Sequence, residues 1–193
     1  MTLTDRLRSA LTLQPPPGLL AGDMIEGSSE PHQAAAVLVA VTDRPEPGVL
    51  LTTRRDDMRT HAGQVAFPGG RIDPGEDAPA AALREAWEEI GLPPSAVQLW
   101  GAADDYRTIT GYAVTPILGL VPPDLDLAPH EDEVADLFEV PLSFLLDRSN
   151  QQRMSGDYRG QVRHYYQIDW NGRRIWGATA AMIVNLTTRL ESA

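Results

Sequence analysis

Cysteine and lysine are both absent from this 193-residue chain, and each absence removes whole classes of chemistry. Without cysteine there are no disulfides, thiolate nucleophiles, iron–sulfur clusters or thiolate-ligated zinc. Without lysine there is no Schiff base, no pyridoxal phosphate enzyme and no P-loop. All 16 basic residues are arginine, set against 27 acidic ones, for a net charge of −11. Any phosphate the chain binds must therefore be met by arginine, backbone N–H groups, neutral polar side chains or a metal ion. Basic residues never run longer than two, which argues against a duplex nucleic acid partner. Long apolar runs are missing too. Nothing approaches the ~20 residues needed to cross a bilayer, and Met1 to Arg6 lacks the basic start and apolar run of a signal peptide, so the chain is expected to be cytoplasmic with no membrane partner. Nucleophile-elbow, dinucleotide-binding and zinc-helix motifs are absent as well.

What is there is an unusual run of acids. If Pro79 to Ile90 is helical, Leu83, Trp87 and Ile90 fall within about 60° of one another, and Glu85, Glu88 and Glu89 lie opposite. The spacing thus predicts one buried face and one carboxylate face. Like charges at these spacings repel by roughly 0.2–0.5 kcal/mol per pair on an exposed helix. A hard divalent cation, Mg²⁺ or Mn²⁺, would relieve that repulsion through carboxylate oxygens. The plainer alternative is a solvated acidic face with Arg84 pairing Glu88.

The residues around the helix bear on that choice. Gly70, Glu76, Arg84-Glu85, Glu88-Glu89 and Gly91, with Ala86 and Leu92 at apolar positions, resemble the Nudix box. Ala86 stands where that pattern has a larger aliphatic residue. The resemblance implies an α/β fold, a Nudix-type α/β/α sandwich with a mixed β-sheet. It also implies hydrolysis of a nucleoside diphosphate derivative with Mg²⁺ or Mn²⁺ held by Glu85, Glu88, Glu89 and the Gly69 carbonyl. Glu85 is then the family-based candidate for the general base. Since the base of some relatives lies outside the box, Glu133 in the acidic segment His130-Glu131-Asp132-Glu133 is a second. Glu76 and Arg84 are expected to pair and tie loop to helix.

Along the chain, residues 1–30 read as a helix from about Thr4 to Leu13 and an irregular extension packed on the domain, with 31–193 as the catalytic domain. Ala34–Val41 and Val49–Thr53 read as paired strands and Gln64–Phe67 as a short one. Val97–Ala103, Tyr112–Val121 and Val134–Val140 follow. A short helix is expected at Leu142–Leu146. Asn171-Gly172 marks a hairpin between Gln161–Asp169 and Arg173–Trp176. Thr179–Leu190 closes with helical spacing.

The stretch from Leu50 to Gly70, with Leu50-Leu51-Thr52, Arg54, Arg59, Gly63 and Phe67-Pro68-Gly69-Gly70, resembles the coenzyme A pyrophosphatase branch of that family. Arg55 stands where the branch has serine. The resemblance implies a coenzyme A-like nucleotide as the small-molecule substrate, cleaved to 3′,5′-ADP and 4′-phosphopantetheine. Such a substrate carries a diphosphate and a 3′-phosphate, so two anionic centres need cations. Arg54, Arg59 and His61, with the backbone at Gly70, are the candidate substrate contacts. Other nucleoside diphosphate derivatives (ADP-ribose, NADH, a dinucleoside polyphosphate, an oxidised nucleotide) and a non-catalytic nucleotide sensor stand as alternatives. A homodimer is compatible with the sequence.

Overall fold

A computed structural model describes residues 2–23, 32–55, 57, 63–158 and 160–193. Arg59 and His61 lie outside the described residues. Helix α1 (Leu3–Leu11) opens with a reciprocal cap in which the Asp5 N–H donates to Thr2 Oγ1 (3.1 Å) and the Thr2 N–H to Asp5 Oδ2 (2.9 Å). Strands β1 (Gln33–Thr42), β2 (Gly48–Arg54), β3 (Val65–Ala66) and β4 (Gly69–Arg71) follow, then α2 (Ala78–Ile90). Next come β5 (Gln98–Ala102), β6 (Tyr106–Arg107), β7 (Tyr112–Val121), β8 (Val134–Pro141) and the short α3 (Leu142–Leu145). The chain ends with β9 (Gln152–Tyr158), β10 (Gln161–Trp170), β11 (Arg173–Trp176) and α4 (Ala178–Glu191).

Strands β1 to β8 form a mixed sheet. Its centre is the apolar β1, which runs parallel to β7 from Gln33↔Tyr112 to Thr42↔Val121. Strand β2 lies antiparallel to β8, from Gly48↔Pro141 to Arg54↔Val134. The expected pairing of β1 with β2 holds at a single position, Val41↔Val49. Beyond it the two strands splay apart. Strand β1 takes up β4 over Ala35↔Arg71 to Val37↔Gly69, while β2 takes up β3 at Thr52↔Ala66 and Thr53↔Val65. The turn Phe67–Gly70 is thereby held in the fork between two strands.

Both faces of the sheet are covered. One carries α2 over Ala36, Leu38, Ala40, Leu50 and Ile117. The other carries α1, α4 and the separate sheet β9–β10–β11 over Val39, Val49, Leu51, Val65 and Phe67. This is the expected layered fold with a mixed sheet. Helix α4 is buried along almost its whole length, polar residues Asn185, Thr187 and Arg189 included. Its polar groups bind the N-terminal segment: Asn185 Oδ1 accepts from the Leu20 N–H (2.7 Å), and Asn185 Nδ2 donates to the Leu20 carbonyl (2.9 Å). Arg189 donates to the Ala10 and Leu13 carbonyls at 3.0 and 3.1 Å, and Nη2 reaches Asp104 Oδ1 at 2.7 Å.

One expectation about α2 is overturned. Trp87 is 54% exposed, and the buried face is Ala81, Ala82, Ala86, Ile90 and the carboxylate of Glu89. Small side chains let the helix lie close to β1, and that close approach takes precedence over burying the largest apolar ring. The mostly polar strand β9 has no apolar alternation to announce it, and pairing with β10 is what makes it a strand.

Candidate active site

Two neighbouring glycines begin the site. At Gly69 a Cβ would collide with the Ala36 carbonyl and with Val37 Cα, so glycine lets β4 lie tight against β1. At Gly70 a Cβ would fall on the carboxylate of Glu85. The backbone of β4 and the face of α2 are therefore in direct apposition. Gly70→Ala is expected to push the Glu85 carboxylate aside and lower turnover on the order of 10²-fold, with little change in melting temperature because only the far end of one side chain must move. Steady-state kinetics beside a thermal melt would check both halves.

Helix α2 is fixed at its start by Asp77, whose side chain accepts from the Ala80 N–H at 2.8 Å, and at its end by Gly91 in the left-handed conformation (φ 68°). Between the caps, Arg84 is the hub. Its Nε and Nη2 each stand 3.0 Å from a Glu76 carboxylate oxygen, the expected pair, and Nη2 also reaches the Arg71 carbonyl at 2.9 Å. Its Nη1 meets Glu85 Oε1 at 2.9 Å and Glu88 Oε2 at 3.2 Å. One guanidinium thus holds the loop before α2, the edge of β4 and two of the three box glutamates. Glu88 is otherwise open to solvent, its side chain 55% exposed.

Glu89 has the opposite surroundings. Only 3% exposed, it accepts from the Gly69 N–H at Oε2 (3.2 Å) and faces Arg54 Nη1 from Oε1 at 3.6 Å. Burial pushes its pKa up to about 7, against the opposing pull of that N–H and of Arg54, with Glu85 and Glu133 adding repulsion. Glu85 is likewise raised, chiefly by burial and further by Glu88 and Glu133, while Arg84 pulls the other way. Arg54 Nε is buried and without a hydrogen-bond partner among the described residues.

Glu133 arrives at the site by a route that no spacing reveals. After β7 the chain returns across the end of α2, where the Ala128 N–H donates to the Ile90 carbonyl (3.1 Å) and the His130 N–H to the Glu89 carbonyl (2.8 Å). The Glu133 and Val134 N–H groups then close onto the His130 carbonyl at 3.0 and 2.9 Å. Arg55 fastens the same loop from β2: its N–H donates to the Glu133 carbonyl (3.3 Å) and its side chain bonds the Glu131 carbonyl and Asp57. The residue that departs from the serine of the resembled pattern thus has a structural use here.

The structure brings together Arg54, Gly69, Gly70, Glu85, Glu88, Glu89 and Glu133. Among the described residues no three acidic or histidine side chains gather closely enough to form a metal cluster as they stand, because Arg84 and Arg54 occupy the glutamates. The donor chemistry nonetheless suits a hard cation: such an ion takes carboxylate oxygens, and Glu85 and Glu89 are buried near other carboxylates that repel them.

The NUDIX domain model matches residues 31–163, which span the sheet, α2 and the acidic loop. The chain belongs to the Nudix family. An Escherichia coli (strain K12) protein named "Uncharacterized Nudix hydrolase NudL" is 44% identical over 161 residues, covering 82% of this chain and 83% of its own. Among solved structures, the Nudix hydrolase RenU of M. smegmatis superposes with a TM-score of 0.52 at 25% identity, over 66% of this chain and 81% of that one. A MutT/nudix family protein from Enterococcus faecalis covers 100% of this chain and 70% of its own with a TM-score of 0.51; at 14% identity the likeness is one of fold alone. Nudix hydrolases act on phosphoanhydrides of small molecules and generally use divalent ions such as Mg²⁺ or Mn²⁺. Among the described residues no helix is long and apolar enough to cross a membrane.

Proposed function

We propose that this Nudix hydrolase cleaves the diphosphate of coenzyme A or its thioesters, releasing 3′,5′-ADP and the (acyl-)4′-phosphopantetheine portion. The observation that carries the reading is Arg54. It comes from the stretch that resembles the coenzyme A branch, it ends beside buried Glu89, and its Nε is left without a partner among the described residues. A guanidinium so placed suits a phosphate oxygen, which can take the orphaned N–H. Arg59 and His61 are proposed as further contacts from the sequence alone.

Glu85, Glu88 and Glu89, with the Gly69 carbonyl, would hold Mg²⁺ or Mn²⁺, which supplies charge neutralisation on the phosphates and acidifies a bound water. The protein residues do the rest. Gly69 and Gly70 let the backbone approach the diphosphate, Arg54 orients it, and Arg84 sets the spacing of Glu85 and Glu88. The proton of the attacking water passes to a carboxylate. Glu85 is proposed as that acceptor on the resemblance to the family motif, and Glu133 is the alternative. Coenzyme A hydrolysed in ¹⁸O-labelled water, with and without Mg²⁺, tests substrate, metal dependence and the attacked phosphorus together. Preferential release of 3′,5′-ADP is expected, whereas ADP-ribose cleaved far faster than coenzyme A would overturn the assignment.

A further inference from the structure

On the other face of β2 from α2 lies a cavity of about 490 Å³, walled by Thr53, Gly63 and Gln64 on one side and by Arg173, Arg174 and Trp176 on the other. Its volume is in the range of small-molecule sites. Arg173 is already neutralised, 2.6 Å from Asp136 and stacked 4.3 Å over the Phe138 ring. Arg174 is not. Its cross-strand neighbour is Asp169, yet that carboxylate is held by Gln167 Nε2 at 3.0 Å, while Gln167 Oε1 accepts from Arg174 Nε at 2.6 Å. Arg174 Nη2 donates to the Tyr165 hydroxyl at 3.0 Å, and the guanidinium stands 4.8 Å over Trp176 and 5.7 Å over Tyr165.

In a chain with eleven more acids than bases, a guanidinium fixed by neutral partners, and paired with no carboxylate among the described residues, is an anion receptor already in place. The cavity also adjoins the active site through the backbone. The Arg54 N–H donates to the Gln64 carbonyl (2.9 Å) and the Gly63 N–H to the Arg54 carbonyl (3.2 Å), so the wall of the cavity is hydrogen-bonded to the backbone of the proposed diphosphate contact.

We propose that this cavity is a phosphomonoester subsite, in which Arg174 binds a phosphate carried by the substrate in addition to its diphosphate. The inference rests on the proposed coenzyme A reading, whose substrate bears such a group on the ribose. Arg174 is then a specificity determinant: it favours 3′-phosphorylated nucleotides and takes no part in bond cleavage.

Calorimetric titration of adenosine 3′,5′-bisphosphate and adenosine 5′-monophosphate into the metal-free protein is the first test. Wild type is expected to prefer the bisphosphate roughly tenfold or more, and Arg174→Gln to bring the ratio close to one. Turnover of coenzyme A against dephospho-coenzyme A is the second. The wild-type preference should shrink by a similar factor in Arg174→Gln, carried mainly by KM. A ratio unchanged in the variant, or KM rising equally for both substrates, overturns the subsite. A bisphosphate preference lost without any change in the KM of coenzyme A would assign the cavity to a free nucleotide and overturn it too. Failure of wild type to cleave coenzyme A at all would instead sink the proposed substrate, and the bisphosphate ratio would still judge the cavity.

Discussion

Glu89→Gln is expected to make the metal-free protein more stable at alkaline pH while sharply lowering its turnover. The carboxylate is 3% exposed and its pKa stands at about 7 in the folded protein, above the ordinary 4.5. Between those two values the folded protein keeps a proton that the unfolded chain releases. Stability therefore falls as pH rises through that window, and above about 7 the whole penalty is present. At 1.36 kcal/mol per pKa unit this amounts to about 3 kcal/mol at most. Glutamine keeps an oxygen to accept from the Gly69 N–H but never ionises. Denaturant unfolding at pH 5 and pH 8.5, in the presence of a chelator, should show wild type and variant alike at the lower pH and the variant ahead by roughly 1–3 kcal/mol at the higher. A variant weaker at both values would mean that the Arg54 contact outweighs the burial of charge. Turnover should fall on the order of 10²-fold or more. Gain of stability with loss of activity at one atom pair is the pattern of a site strained for function.

Arg189→Met should be the most damaging change away from the active site. Arg189 is 6% exposed, and it neutralises Asp104 while also bonding the Ala10 and Leu13 carbonyls. Methionine would fill much of the volume but leave a carboxylate and two carbonyls without their donor. Removing one partner of a buried, hydrogen-bonded ion pair costs about 3 kcal/mol or more. For a chain of this size that is a fall in melting temperature of roughly 10 °C. Adding Asp104→Asn should restore part of the loss, since the unpaired charge then disappears. A melt within one or two degrees of wild type, on the order of the error of such a scan, would mean the pair is not holding α1 in place.

How much of this was legible depends on what kind of information a residue carries. The box helix and the Glu76–Arg84 pair could be read because they are local: each partner lies within a few turns of the other. The buried face of α2 is not legible from the spacing of its large apolar residues, because a helix packed tightly on a sheet needs alanine at the contact and leaves Trp87 outside. Glu133 could be nominated from its acidic segment, its Val134 neighbour and the downstream Pro141-Leu142; its placement comes from backbone N–H groups at Ala128 and His130 that almost any residue could supply. Arg174 carried no signal beyond the adjacent Asn171-Gly172 turn, since its value lies in a neighbour, Asp169, that turns away from it. Arg59 and His61 lie outside the described residues and remain proposed contacts.

The bonds from α4 to the N-terminal segment have a consequence in time. Leu20 and Asn185 are 165 positions apart, and Ala10 and Arg189 are 179 apart. During synthesis the first helix leaves the ribosome long before its anchors exist. Its apolar face, Leu7 and Ala10, must wait through the making of the entire catalytic sheet for α4 to emerge. Contacts of such separation form late because loop closure has to be met first. A growing chain of this protein therefore carries its finished active-site strands together with an undocked amphipathic helix, and that interval is when a chaperone, or a misplaced neighbour, would find it.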